Sequence, residues 1–160
     1  MCFDPNARPS IMGDPEATLV SIERFIALSD VVKVSDEDIE WLTGGAPIDE
    51  VVERWLGMGP ALVVVTCGKH GSLAVTSSGL RVTKTPGDVA VVDTVGAGDS
   101  FMGGMIDALW GMGLRGAGAR EALRALPEEQ VRAVIDRASA VSDVTVSRKG
   151  ANPPWAHELA

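Results

Sequence analysis

The chain has 160 residues, 46% of them hydrophobic, and a formal net charge of −8, which is typical of one globular domain with a core of its own. The acidic balance argues against a nucleic-acid or anionic-membrane partner, and no apolar run approaches the roughly 20 residues of a membrane-spanning helix. Cys2 and Cys67 lack the spacing of a metal site or disulfide framework. With no secretory signal visible, the expected location is the cytoplasm.

Apolar spacing predicts strands and helices in alternation. The N-terminal stretch Met1–Pro9 is interpreted as the end of a strand, and further strands are expected at Val31–Val34, Ala61–Thr66, Ser72–Thr76, Leu80–Lys84 and Val89–Val92. Helices are expected to begin near Asp14, Ser35, Pro47, Ser100, Ala119 and Pro127. In the first of them, the spacing of Leu19, Ile22, Phe25 and Ile26 predicts four core residues. The order of elements is that of a doubly wound α/β fold.

The segment around Gly96-Ala97-Gly98 predicts a strand, a tight glycine turn and then a mostly buried helix. Amide groups at such a helix start attract an anion. Asp99 lies at the same point, where it either caps the helix or takes a proton from a hydroxyl while the amides hold a phosphoryl group. Position alone favours the cap. The segment matches neither a P-loop nor a dinucleotide fingerprint, whose third glycine is replaced by Phe101.

Three weaker patterns accompany this turn. Thr66-Cys67-Gly68-Lys69-His70-Gly71 lies between two alternating segments and is typical of a hairpin loop. In Asp4-Pro5-Asn6-Ala7-Arg8, Arg8 has the chemistry to grip phosphate, although the local sequence favours a surface turn. Ser35 and Asp38 fit a capping box.

Residues 89–101 resemble the C-terminal signature of the ribokinase-like (PfkB) carbohydrate kinases. The turn at Thr66–Gly71, the segment Asp4–Pro9 and the loop from Thr145 to Pro154 resemble further elements of that family. The resemblance implies a doubly wound, Rossmann-like ribokinase-type layer. The match runs from the first residue to the last as one part, 1–160, and corresponds only to the C-terminal half. We therefore expect the family's N-terminal half and β lid to be lacking.

The resemblance also implies roles for individual residues. Asp99 would be the catalytic base, beside an anion hole lined by Gly96, Ala97 and Gly98. The nucleotide contacts would be Thr66, Gly68, Lys69, Gly71, Ser35 and, on the adenine side, Ser139. The substrate contacts would be Asn6, Arg8 and Asp99. Asp38 would reach magnesium through water, although Ser35-x-x-Asp38 departs from the family's Asn-x-x-Glu and capping is the favoured role for Ser35. Backbone oxygens for a monovalent cation would come from Asp93, Val95, Thr145, Arg148 and Gly150.

The implied activity is ATP-dependent phosphorylation of a sugar hydroxyl, with magnesium and potassium as cofactors and a homodimer in the full-length form. Fructose is the first choice of sugar and 2-keto-3-deoxygluconate the second, with other sugar or nucleoside kinases of the family as further alternatives. Two other classes stay open. One is a nucleotide-binding fragment without turnover, and the other is a simple interaction domain.

Overall fold

A five-stranded mixed sheet forms the centre of the protein in a computed structural model that describes residues 1–159. In spatial order, its strands are β1 (Cys2–Phe3), β2 (Val31–Ser35), β3 (Leu62–Thr66), β4 (Ser72–Thr76) and β5 (Arg81–Lys84). The first three strands are parallel, while β4 and β5 are added as antiparallel hairpins. The predicted strands from Val31 to Lys84 are therefore confirmed.

Within residues 1–159, seven α-helices accompany the sheet, together with short 3₁₀ turns. They are α1 (Pro9–Met12), α2 (Pro15–Ala27), α3 (Asp36–Thr43), α4 (Ile48–Leu56), α5 (Ala97–Gly111), α6 (Arg120–Arg124) and α7 (Glu128–Val146). The predicted caps are present. Asp14 Oδ2 accepts the N–H of Ala17 at 2.8 Å, and Ser35 and Asp38 form a capping box at the start of α3.

The sheet is covered on both faces, because successive residues of a strand point to opposite sides. On one face, Val31, Leu62 and Val64 pack with residues of α5 and α7. On the other, Val32, Val34, Val63 and Val65 pack with residues of α2, α3 and α4. The doubly wound arrangement predicted from the sequence is therefore confirmed.

Three local predictions are wrong. Val89–Val92 forms no strand, and Val91 and Val92 are 64% and 62% exposed. The reason is that no strand lies beside this segment; instead, the amide of Val92 donates to the carbonyl oxygen of Val146 at 2.8 Å. A run of β-branched residues favours an extended backbone but does not supply the neighbouring strand.

The other two concern burial near β1, which has a neighbouring strand on one side only. Phe25 was expected in the core but is 54% exposed and stacks on Phe3. Helix α5 was expected to be mostly buried, yet Ile106 and Trp110 are 42% and 60% exposed. Both helices have the expected apolar spacing, but among residues 1–159 no further strand or helix covers them at this end of the sheet.

None of the helices in the part of the chain that the structure describes is both long and apolar enough to cross a membrane.

Helix α5 lies against α7 at Gly104, where the two backbones approach closely. A Cβ placed on Gly104 would lie 2.7 Å from the Cα of Ala138 and 3.1 Å from the carbonyl oxygen of Arg137. The preceding Gly103 lies in the same helix but would meet nothing within 4 Å. The two adjacent glycines therefore differ in packing while they share the same helical propensity.

We expect Gly104→Ala to destabilise the protein by about 1–3 kcal/mol, because backbone atoms of α7 cannot move aside without separating the helices. The matched variant Gly103→Ala should be neutral or more stable by about 0.5–1 kcal/mol, because alanine lowers the entropy lost on folding. Urea unfolding curves of the two variants and the unsubstituted protein measure the difference. Equal midpoints for the two variants would contradict the packing described here.

Candidate active site

The carboxyl ends of β1, β2 and β3 lie at one edge of the sheet, as the parallel pairing requires. Each strand leads at this edge into one of the predicted site segments. The segment Asp4–Arg8 follows β1, Ser35 ends β2, and Thr66 ends β3 directly opposite Ser35. The sheet thus brings together three segments that are far apart in the sequence.

The turn Gly96-Ala97-Gly98 begins α5 and is held by other parts of the chain. Gly96 has a φ of 78°, which favours glycine, and a Cβ at this position would lie 2.8 Å from the Cβ of Ala151. Ser142 in α7 donates its hydroxyl hydrogen to the carbonyl oxygen of Ala97 at 3.2 Å. The backbone of the turn is therefore fixed between α7 and the C-terminal loop.

The amide groups of this turn are not equivalent. The N–H of Ala97 donates to the carbonyl oxygen of Thr94 at 3.2 Å, so it already has a partner. Within residues 1–159, the N–H groups of Gly96, Gly98 and Asp99 have no protein acceptor. Three uncommitted amides at the start of a 15-residue helix can bind an anion. The anion-hole amide predicted at Ala97 is therefore already engaged by the protein's own carbonyl oxygen.

Asp99 is exposed in the first turn of α5. Its carboxylate accepts no hydrogen bond from the described residues, including the amides of its own helix. The capping role that position alone favours is therefore not what the structure shows. The carboxylate remains available to accept a proton, and its role as base stays a prediction.

A buried ion pair lies beneath this turn. Lys33, in the middle of β2, is 3% exposed, and its Nζ is 3.1 Å from Oδ2 of Asp4. A Cβ on Gly98 would lie 2.8 Å from the same Nζ. Burial raises the pKa of the Asp4 carboxyl, and the neighbouring Lys33 ammonium opposes that rise.

Sequence analysis assigned no role to Lys33 or Asp4. A signal was present, because a lysine interrupts the apolar strand Val31-Val32-Lys33-Val34. Lysine is almost never fully buried unless its charge is paired. The sequence pattern alone, however, does not identify the partner or the turn above it.

The Asp4–Arg8 segment is an ordered loop. Asn6 has a φ of 44°, and its N–H donates to Oδ1 of Asp4 at 3.1 Å. The guanidinium of Arg8 donates to the carbonyl oxygen of Ala7 at 2.9 Å. The side chains of Asn6 and Arg8 are on exposed residues at the edge that also carries the α5 turn. Their contact with a substrate stays a prediction.

Asp38 connects this loop to α3. Its Oδ2 accepts the N–H of Ser35 at 3.3 Å and its Oδ1 accepts the N–H of Ala7 at 3.0 Å. The hydroxyl oxygen of Ser35 in turn accepts the N–H of Asp38 at 3.0 Å. Capping is therefore confirmed for Ser35, while its nucleotide contact stays a prediction. Each oxygen of Asp38 accepts one of these hydrogen bonds, and its contact with magnesium through water stays a prediction.

The predicted nucleotide turn is also the hairpin connection between β3 and β4, so the two interpretations hold together. Gly68 and Gly71 have φ values of 48° and 92°, and a Cβ on Gly71 would lie 1.9 Å from the carbonyl oxygen of Lys84. Lys69 is exposed and Thr66 is half-buried beside β2. Ser139 lies in α7 and is buried. Contact of these residues with a nucleotide stays a prediction.

The predicted cation residues lie in two segments that Asp93 joins. Its Oδ1 accepts the N–H of Val95 at 3.0 Å and its Oδ2 accepts the N–H of Gly150 at 2.9 Å. These two amides lower the pKa of the Asp93 carboxyl below its ordinary value. A cation held by backbone oxygens of both segments stays a prediction.

The C-terminal segment differs from its predicted form in one respect. The loop was expected to begin at Thr145, but Thr145 lies in the last turn of α7, and its carbonyl oxygen accepts the N–H of Arg148 at 3.1 Å. Arg148 also forms an ion pair with Glu158. Helix α7 therefore continues to Val146, beyond the residue at which the loop motif predicted its end.

Two grooves lie away from this edge. One, of about 450 Å³, lies between α2, α3 and α4, and the other, of about 360 Å³, lies beside β1 and the end of α5. Neither is lined by a predicted site residue. Among residues 1–159, there is also no cluster of three His, Cys, Asp or Glu side chains that could hold a metal ion directly.

The model of the pfkB family of carbohydrate kinases matches residues 1–158. A fructokinase from Rhizobium leguminosarum bv. trifolii is 42% identical over 107 residues, which is 67% of this chain and 32% of that protein.

Two solved structures are similar over nearly the whole chain. The aminoimidazole riboside kinase of Salmonella enterica, complexed with aminoimidazole riboside and an ATP analogue, superposes with a TM-score of 0.80 at 27% identity, covering 99% of this chain and 50% of that one. A fructokinase double mutant from Vibrio cholerae O395, bound to fructose, ADP and potassium ion, has a TM-score of 0.75 at 28% identity, covering 94% and 45%. The chain thus spans between about a third and a half of the length of these proteins.

The link through Asp93 leads to a pH-dependent prediction. Asp93→Asn should loosen the 93–95 and 147–150 segments, because an amide side chain offers one acceptor oxygen where the carboxylate offers two. Folding lowers the pKa of the Asp93 carboxyl group. Its ionised form therefore stabilises the folded protein fully above the unfolded-state pKa, and this stabilisation is lost as the pH falls through the folded-state pKa. Hydrogen exchange at the amides of Val95 and Gly150 should therefore be faster in the variant at pH 7.

Asp88→Asn is the matched control, since Asp88 is exposed and its side chain forms no hydrogen bond with the described residues. Its exchange rates should equal those of the unsubstituted protein. Identical exchange in all three proteins would refute the proposed link between the two segments.

Proposed function

Because the chain belongs to the pfkB family of carbohydrate kinases, we propose that it carries the nucleotide-binding and catalytic part of an ATP-dependent sugar kinase. One observation carries the proposal. At the start of α5, the carboxylate of Asp99 and the N–H groups of Gly96, Gly98 and Asp99 are all without protein partners in residues 1–159. A base beside an anion hole is the pair of functions that transfer of a phosphoryl group to an alcohol requires.

In the proposed mechanism, Asp99 accepts the proton of a sugar hydroxyl. The oxygen then attacks the γ-phosphorus of ATP, and the bond to the bridging oxygen of the departing ADP breaks. The free amides at the start of α5 stabilise the charge on the transferred group. Magnesium, when bound with the nucleotide, neutralises phosphate charge, and Asp38 is its proposed contact through water.

The remaining predicted residues complete the proposed site. Thr66, Gly68, Lys69 and Gly71 contact the nucleotide, with Ser35 beside them and Ser139 on the adenine side. Potassium, when bound, would be held by backbone oxygens of the two segments that Asp93 joins, namely those of Asp93, Val95, Thr145, Arg148 and Gly150. The solved fructokinase that contains potassium, fructose and ADP supports this part of the proposal.

Fructose is the proposed sugar, bound by Asn6, Arg8 and Asp99. Similarity to fructokinases supports this choice, and the loop held by Asp4 and Asp38 supplies an amide and a guanidinium side chain for hydroxyl groups. The aminoimidazole riboside kinase is as similar in fold, so a riboside is the main alternative substrate. 2-Keto-3-deoxygluconate remains the second sugar to test.

The share of the relatives' length that this chain spans favours a second candidate, a nucleotide-binding protein without turnover of its own. Sugar-dependent release of ADP distinguishes the two. We expect the chain to bind ATP in either case. Release that depends on fructose supports the kinase, and ATP binding without such release supports the second candidate.

Asp99→Asn should lower the rate of fructose-dependent ADP release by about 10²–10⁴-fold, because the amide cannot accept the proton. ATP binding should change little, because the amides that hold phosphate are unaltered. A coupled assay for ADP and calorimetry of ATP binding measure the two effects, with the same substitution tested in the chain joined to a family N-terminal half.

Asp107→Asn is the control, since Asp107 lies on the same helix but is engaged with Arg137 at 2.8 Å on the surface. That variant should keep its turnover. If turnover survives in Asp99→Asn, Asp99 is not the base.

A further inference from the structure

The ammonium group of Lys33 is the feature of the site that the proposed mechanism leaves unused. It is 3% exposed on the face of β2 that packs against α5 and α7, which otherwise consists of residues such as Val31 and Val64. Within residues 1–159, its one charged partner is Asp4. An ammonium has three N–H donors, so the ion pair uses only part of its capacity.

The position of this charge is unfavourable for stability. A helix start carries partial positive charge, so a lysine beneath α5 opposes the helix dipole. Burying an ion pair also costs desolvation that the attraction between its members often fails to offset. Stability therefore does not explain the presence of the Lys33 ammonium here. Its effect on the neighbouring turn at the start of α5 is the better explanation.

The turn is in contact with the charge. Gly98 lies so close to Nζ that a side chain at this position would overlap it, with a Cβ at 2.8 Å. The N–H of Gly98 is one of the three amides without a protein acceptor. The ammonium thus lies next to a residue whose amide can bind an anion, in surroundings that would screen it little from that anion.

We propose that Lys33 is a positioning residue for the phosphoryl group, which supplies the positive potential of the turn and fixes its backbone, and that Asp4 sets how much of that potential is available. The inference rests on the proposed function, since it takes the anion at the turn to be the terminal phosphate of ATP. Asp4 also accepts the N–H of Asn6. The ion pair therefore connects the proposed sugar loop with the proposed phosphate turn.

The inference predicts different effects on nucleotide binding for substitution of Lys33 and of Asp4. Lys33→Met removes the charge with little change in length and should weaken binding of magnesium AMP-PNP by about tenfold. Asp4→Asn leaves the ammonium unneutralised, so binding should be unchanged or tighter. The double variant Lys33→Met/Asp4→Asn removes both charges and should bind as weakly as Lys33→Met. Calorimetry with the complete 160-residue chain measures all four affinities.

Thermal unfolding separates this role from a structural one. Each single variant leaves a buried group without its partner and should unfold earlier, while the double variant should recover part of the loss. The order of the variants by unfolding temperature should then differ from their order by affinity for AMP-PNP. Lys33→Met should also weaken the binding of ADP less than that of AMP-PNP, because ADP lacks the terminal phosphate. Lys84→Met, which breaks the half-exposed pair with Asp136, is the control and should keep its affinity within about twofold.

Affinities that fall equally in Lys33→Met and Asp4→Asn, or that track the unfolding temperatures, would overturn the inference and leave the proposed function intact. A double variant that binds AMP-PNP as tightly as the unsubstituted chain would also overturn the inference and leave the proposed function intact. This comparison remains a test if the single variant Lys33→Met fails to fold. Absence of AMP-PNP binding in the unsubstituted chain would count against both the nucleotide site and this inference.

Discussion

The ion pair between Lys33 and Asp4 joins the two halves of the candidate site. Lys33 belongs to a central strand and Asp4 to the loop after an edge strand, while Gly98 belongs to a helix more than sixty residues further along the chain. A buried ammonium tolerates little displacement, because loss of its partner would leave an uncompensated charge. The positions of the proposed sugar loop, Asp4–Arg8, and of the proposed phosphate turn, Gly96–Gly98, are therefore tied to one another through a single side chain.

Much of the fold could be predicted because its signals are local. Asp14 before Pro15 and Ser35 three residues before Asp38 place helix starts through hydrogen bonds that span only three residues. The unbroken apolar run Ala61–Thr66 indicates a strand covered on both faces, and its burial agrees with that. The site motifs were also recognisable in sequence, because Gly68, Gly71 and Gly96 have positive φ values that favour glycine over other residues.

What could not be predicted depends on partners that are distant in sequence. Val92 has strand propensity but bonds to the end of α7 instead, and Phe25 has core spacing but lies where no described residue covers it. Asp99 looks like a cap from its position, yet no amide donates to it. In each case, the local pattern was read correctly and the outcome was decided by what lies beside it in space.

Asp38 divides its two carboxylate oxygens between a helix and a loop. Because the oxygens belong to one rigid group, a rotation that improves one hydrogen bond alters the other. Displacement of the backbone at Ala7 by an incoming molecule would be transmitted through Asp38 to the first turn of α3. Occupancy at the sheet edge would thus change local fraying of a helix on the outer layer of the protein, a mechanical coupling that needs no domain motion.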